Sequence, residues 1–175
     1  FIGSEPVIAE DGKYKGIAIM QDEQDKALAF AQSLTPSQKA IAVLSKEKGG
    51  NDNQTEAFKD NVVMEYKGIP VTKLDKKQTK DLQGVIAIYI NYLREGHAKI
   101  RMSEIIEHWN ETYFAWKGST EDDAVFYYRI HSPVALIEFD HLPFASGVAA
   151  RIFRQRSAYL IVVDNNIVRL TDAAK

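Results

Sequence analysis

At 175 residues with 45% apolar and 26% charged side chains, the chain can enclose one hydrophobic core, and its composition excludes the disordered, collagen-like and coiled-coil classes. A formal charge of −2 lacks the basic surplus that binds phosphate backbones, so nucleic acid is not an expected partner. Cysteine is absent, which excludes disulfides, thiolate metal sites and a cysteine nucleophile, and no apolar run approaches the roughly 18 residues of a membrane span.

Residues 1–20 contain Pro6, Gly12 and Gly16 among short apolar pieces and read as a loop with at most one extended contact. Their start at Phe1-Ile2-Gly3, without the charged and apolar regions of a signal peptide, reads as a truncated or processed end. From Gln21 the spacing of Ala27, Leu28, Ala31 and Leu34 predicts an amphipathic helix, with Asp22 and Glu23 in its first turn. Thr35-Pro36-Ser37-Gln38 is a capping box with proline at the first helical position, and predicts a second helix ending near Ser45. Residues 46–55 hold no apolar side chain and read as a mobile surface loop, the first expected site of proteolysis.

A short strand is expected over 62–66, whereas Ile69-Pro70-Val71 is too interrupted for a central strand. Asp75 with Gln78 repeats the capping spacing and opens the longest helix, apolar at Leu82, Val85, Ile86, Tyr89, Ile90 and Leu93 and ended by Gly96. The next helix is expected to bury Ile100, Ile105, Ile106 and Trp109 and to stop near Asn110. Residues 113–116, 125–130 and 134–139, rich in aromatic and β-branched side chains, predict a three-strand antiparallel meander. Residues 159–163 and 167–170 flank Asp164-Asn165-Asn166 as a further hairpin.

A tight connection at Ser132-Pro133 would pair His131 with Val134, Arg129 with Leu136, Tyr127 with Glu138 and Val125 with Asp140. That register makes one solvated polar face, opposite a core face of Phe126, Tyr128, Ile130, Ala135, Ile137 and Phe139. Arg129, His131, Glu138 and Asp140 then converge, with Tyr127 as a ring or hydroxyl contributor, histidine suited to acid–base work and arginine to clamping an anion. The competing reading is a solvated face with opposite charges placed for solubility. His97 and His108 read as helix-end residues. Alternation sends Glu138 and Asp140 to one face and His141 to the other, too few ligands for zinc, so no metal is expected. No glycine-rich loop joins a strand to a helix, so no nucleotide cofactor is expected.

Phe1-Ile2-Gly3-Ser4-Glu5-Pro6, Ser33-Leu34-Thr35-Pro36, Asp60-Asn61 with Tyr66-Lys67-Gly68, Tyr113-Phe114-Ala115-Trp116, Phe126-Tyr127-Tyr128-Arg129-Ile130-His131-Ser132-Pro133 and Ile137-Glu138-Phe139-Asp140-His141 follow one another in an order that resembles the domain-of-unknown-function family numbered 3500. The resemblance covers residues 1–141 and is similar to the C-terminal half of that family. It implies longer members, with a Gly-His-His segment upstream and a His-x-His element after Phe-Asp-His. Only His141 matches the paired histidines, and residues 142–175 read as a divergent tail. The resemblance therefore implies the margin of a histidine-based site, near Arg129, His131, Glu138 and His141.

These readings lead to one α+β domain over 1–141, with helices packed on one face of a small, mainly antiparallel sheet. Two functions follow as expectations. One is the C-terminal segment of an enzyme with a small-molecule ligand; the other is a binding or assembly module that docks its apolar helix and aromatic strands on a missing N-terminal half or a second copy.

Overall fold

The structure, a computed structural model, describes residues 2–4, 7–55, 63–122, 124–142 and 157–163. Helix α1 (Gln21–Ser33) buries Ala27, Leu28 and Ala31, as its spacing predicts, and also Phe30 and Glu23. Helix α2 (Pro36–Ala42) opens on the Thr35 capping box: Gln38 N–H donates to Thr35 Oγ1 at 3.3 Å, and Thr35 N–H to Gln38 Oε1 at 2.9 Å. Helix α3 (Lys76–Ile90) repeats the device with Asp75 and Gln78 at 2.8 and 3.0 Å. The Gln38 and Gln78 amides then bond to each other at 2.8 and 2.9 Å, so each cap steadies the other. No described helix is long and apolar enough to cross a membrane.

Two helix boundaries differ from the sequence expectation. Helix α3 ends at Ile90, and Gly96 lies in the first turn of helix α4 (Glu95–Glu107) instead of terminating the preceding one. Ala98, Met102 and Ile105 form the inward stripe of α4, at spacings of four and three, and Trp109 in the short 3-10 turn after it packs on the same core; Ile100 falls off that stripe and is 62% exposed, and Ile106 is exposed too. Helix α2 likewise stops at Ala42, before the expected Ser45.

Strands β4 (Tyr113–Gly118), β5 (Phe126–His131) and β6 (Leu136–Leu142) make the expected antiparallel meander. Strand β7 (Ser157–Val163) pairs along β6, and β1 (Ile2–Ser4) pairs with β7. At the opposite edge β2 (Val43–Ser45) runs parallel to one end of β4, and β3 (Ile69–Pro70) runs antiparallel to its other end. The sheet is therefore mixed and mainly antiparallel, in the order β1-β7-β6-β5-β4-β2 with β3 beside β4. Residues 63–66 form no strand. Val62 and the second arm of the expected terminal hairpin, 167–170, lie outside the described residues.

The connection between β5 and β6 spans 132–135 and is longer than the expected turn, so Arg129 pairs with Glu138 and Tyr127 with Asp140. A slip of two residues preserves which face each side chain takes, because strand side chains alternate with period two. Helices α1 and α3 pack together, and the core face of the sheet joins the same apolar cluster. Its rings pack closely: Trp116 stacks on Phe126 at 4.3 Å, Tyr128 on Phe139 at 5.2 Å, and Phe30 meets Phe114 edge-on at 4.8 Å.

Candidate functional site

The other face of the meander carries Lys117 from β4, Tyr127, Arg129 and His131 from β5, and Glu138 and Asp140 from β6. It is not solvated as expected. Arg129 and His131 are 5% and 4% exposed, and Glu138 and Asp140 are fully buried. Two segments cover them: 46–55, and the stretch from Val63 to Lys67.

The segment 46–55 is not a free surface loop but a strap held by charge. Asp52 N–H donates to Asp140 Oδ2 at 2.8 Å, and Lys48 Nζ lies 2.6 Å from Asp140 Oδ1 and 3.3 Å from Asp52 Oδ2. Lys117 Nζ reaches Asp52 Oδ1 at 2.6 Å. Glu138 collects the far end of the strap, accepting from Gln54 N–H at 3.0 Å, from Thr55 N–H at 3.0 Å and from the Thr55 hydroxyl at 2.6 Å. It also accepts from the Tyr127 hydroxyl. A segment with nothing apolar to bury docks here because strand carboxylates supply acceptors to its backbone donors and lysines balance the charge.

The electrostatics follow from this packing. Burial acts to raise the Asp52 pKa, but the hydrogen bonds and charges of Lys117 and Lys48 outweigh it and hold the group below its usual value. Burial leaves Asp140 above its usual value, opposed by Lys48 and the Asp52 N–H. Burial and the charge and hydrogen bond of Glu138 push the Tyr127 phenol far upward, so it remains a donor.

Arg129 and His131 are held differently. Arg129 Nη2 donates to the Glu65 carbonyl at 3.3 Å, its Nε has no partner, and no carboxylate among the described residues lies within ion-pair distance. Its cross-strand neighbour Glu138 is engaged by the strap and Tyr127. The His131 ring stacks on Tyr66 at 4.2 Å, Tyr66 stacks on Tyr113 at 5.2 Å, and His131 Nδ1 has no partner. Burial, assisted by the Arg129 charge, pushes the imidazole down to about 4, so it is neutral at pH 7.

Tyr66 owes its place to Gly68. That residue has φ of +97°, and a Cβ there would stand 2.1 Å from the Phe114 carbonyl oxygen, so only glycine lets the chain pass this close to β4. Beside Arg129 opens a cleft of about 630 Å³, bordered by Gln54, Glu65, Lys117 and Tyr127 and by the apolar Leu44, Val63 and Met64.

Three of the four candidate residues, Arg129, His131 and Glu138, therefore share one face. His141 lies on the opposite, helix-facing side, as alternation predicts. Its ring packs edge-on to Phe126 at 4.4 Å, its Nδ1 accepts from Phe126 N–H at 3.2 Å, and its Nε2 lies 2.9 Å from Gln24 Oε1. The accepting Nδ1 places the proton on Nε2, which donates to the glutamine. His97 is exposed, and His108 caps α4 with its ring 2.9 Å from Glu111. Lys48, Asp52, Thr55 and Tyr66 escape a reading of the strands alone. Lys117 was open to the same alternation argument, since it pairs with Tyr127. Among the described residues no group of three His, Asp or Glu side chains is arranged to hold a metal ion.

No curated protein and no solved structure matches the chain. A family model described as "Protein of unknown function (DUF3500)" matches residues 1–153, running past His141 into the segment read as a divergent tail. With most of its length covered by that match, the chain belongs to the DUF3500 family.

Proposed function

We propose that the cleft beside Arg129 is the active site of an enzyme acting on a small molecule, with Arg129 holding an anionic group and His131 moving a proton. The observation that carries this reading is the buried guanidinium without a counter-carboxylate among the described residues. Burying an unpaired charge costs several kcal/mol in general, and an anionic ligand in the cleft would offset that cost. The same anion would neutralise the charge that helps depress His131, making the imidazole a stronger base only when the cleft is filled. Glu138, with Thr55 and Gln54 on its oxygens, is suited to holding the strap and the Tyr127 hydroxyl in place.

A fragment screen by NMR tests this reading. Binding compounds should shift the resonances of Arg129, His131 and Lys117 and raise the His131 pKa. His131→Gln should retain binding while stopping any chemical conversion of those compounds. Fragments that bind only elsewhere, or none at all, would remove the proposal.

The second reading, a non-enzymatic binding or assembly module, draws support from Tyr92, Leu93, Ile100 and Ile106, which stay exposed on and near α4. The strand rings proposed for such docking are packed against this chain's own helices. Sedimentation across a concentration series separates the two readings, since a monomer at every concentration would count against self-assembly.

A further inference from the structure

Resting on the reading of this cleft as a small-molecule site, we propose that its ligand is a monocarboxylate with an apolar body, bound through Arg129. The charges around the cleft decide the head group. Lys48 and Lys117 each lie 2.6 Å from a carboxylate oxygen, of Asp140 and Asp52 respectively, and Lys67 on the rim lies 3.0 Å from Glu65. Arg129 alone among the cations of this face is not committed to a carboxylate within the described residues. One planar guanidinium matches one carboxylate, which it can grip with two parallel hydrogen bonds. A phosphate dianion would bring a second negative charge close to Glu138 with no uncommitted cation to receive it. Recognition of that group usually recruits further lysines or arginines, or a helix N-terminus.

The rest of the cleft decides the body. Leu44, Val63 and Met64 supply its apolar lining, and Val63 is 82% exposed. An apolar moiety would cover these side chains while its carboxylate reached Arg129. About 630 Å³ falls in the ordinary range for small-molecule sites. The unpartnered Arg129 Nε, buried on the sheet, is the second observation that points to a ligand independently of the cleft's shape.

Isothermal titration of the full chain with benzoate, hexanoate, benzyl alcohol and inorganic phosphate tests the assignment. Benzoate and hexanoate should bind saturably, with benzyl alcohol and phosphate at least about tenfold weaker. Arg129→Gln should weaken benzoate at least about tenfold, and so should Arg129→Lys, which keeps the charge but loses the fork. Circular dichroism confirms that the variants fold; should either fail to fold, the wild-type order of affinities still decides. Phosphate binding at least as tightly as benzoate, through Arg129, would overturn the monocarboxylate and leave the small-molecule site standing. Equal binding of benzyl alcohol would overturn the charge argument. Failure of both carboxylates, with fragments of other classes shifting Arg129 and His131, would overturn the assignment alone; failure of every compound would overturn the site as well.

Discussion

The two faces of the β4–β5–β6 meander both bury polar side chains, yet they satisfy them to different degrees. On the helix face the His141 ring uses both nitrogens, one on a backbone N–H and one on Gln24, and the Tyr128 hydroxyl meets Tyr89 and the Glu23 carbonyl. Glu23, also buried, accepts from the Tyr92 hydroxyl, which that hydrogen bond and burial push up to about 12. On the strap face Glu138 accepts from Gln54, Thr55 and Tyr127 and Asp140 Oδ1 meets the Lys48 ammonium, but Arg129 Nε, His131 Nδ1 and the Asn53 amide oxygen are left without partners. Polar groups placed for stability are usually completed, so the unpartnered Arg129 Nε, whose side chain lines the cleft, singles out the face proposed to meet a ligand.

Substitutions sharpen this contrast, beginning where packing alone is at stake. Trp116→Ala on the helix face should lower stability by about 3–5 kcal/mol in urea denaturation, because a fully buried ring stacked on Phe126 is removed. Glu138→Gln should cost about 2–4 kcal/mol, since the strap loses its charged acceptor, and should speed proteolytic cleavage within 46–55. An unchanged cleavage rate would mean that the strap is held by something other than the strand carboxylates. Gly68→Ala should cost at least about 2 kcal/mol from backbone strain and the clash with Phe114, and NMR should show His131 losing its contact with Tyr66.

The most gradual effect is the titration of His131. Its folded pKa lies near 4, below the ordinary 6.5, so the unfolded chain takes up this proton first as pH falls. The stability that His131 contributes is complete above about pH 6.5 and is lost progressively toward pH 4, with a slope of at most about 1.4 kcal/mol per pH unit. His131→Gln should flatten that part of the pH–stability curve. His141→Gln should not flatten it in the same way, because the two histidines lie on opposite faces.

The parts of the fold legible in the sequence are those set by local chemistry. The Thr35 and Asp75 capping boxes locate two helix starts because capping is settled within four residues. Alternation assigns Arg129, Glu138 and His141 to their faces even though the assumed turn is two residues too short. What escaped depends on distant partners. A polar segment at 46–55 reads as solvated until Asp140, 88 residues from Asp52, accepts its N–H. Val43 and Leu44 continue an apolar run that fits a helix as well as a strand, and only the edge of β4 decides between them. The cleft has no local signal, because it arises where strap, strand and the Gly68 crossing meet.

Urea denaturation of Arg129→Met tests the central claim most directly, since methionine keeps much of the arginine stem's packing while removing its charge. If Arg129 is a buried cation held without a counter-carboxylate, the variant should be as stable as the wild type, or more stable by up to about 2 kcal/mol. A loss of about 3 kcal/mol or more, the expected result of breaking a paired buried charge, would show that Arg129 serves the fold and would contradict the account.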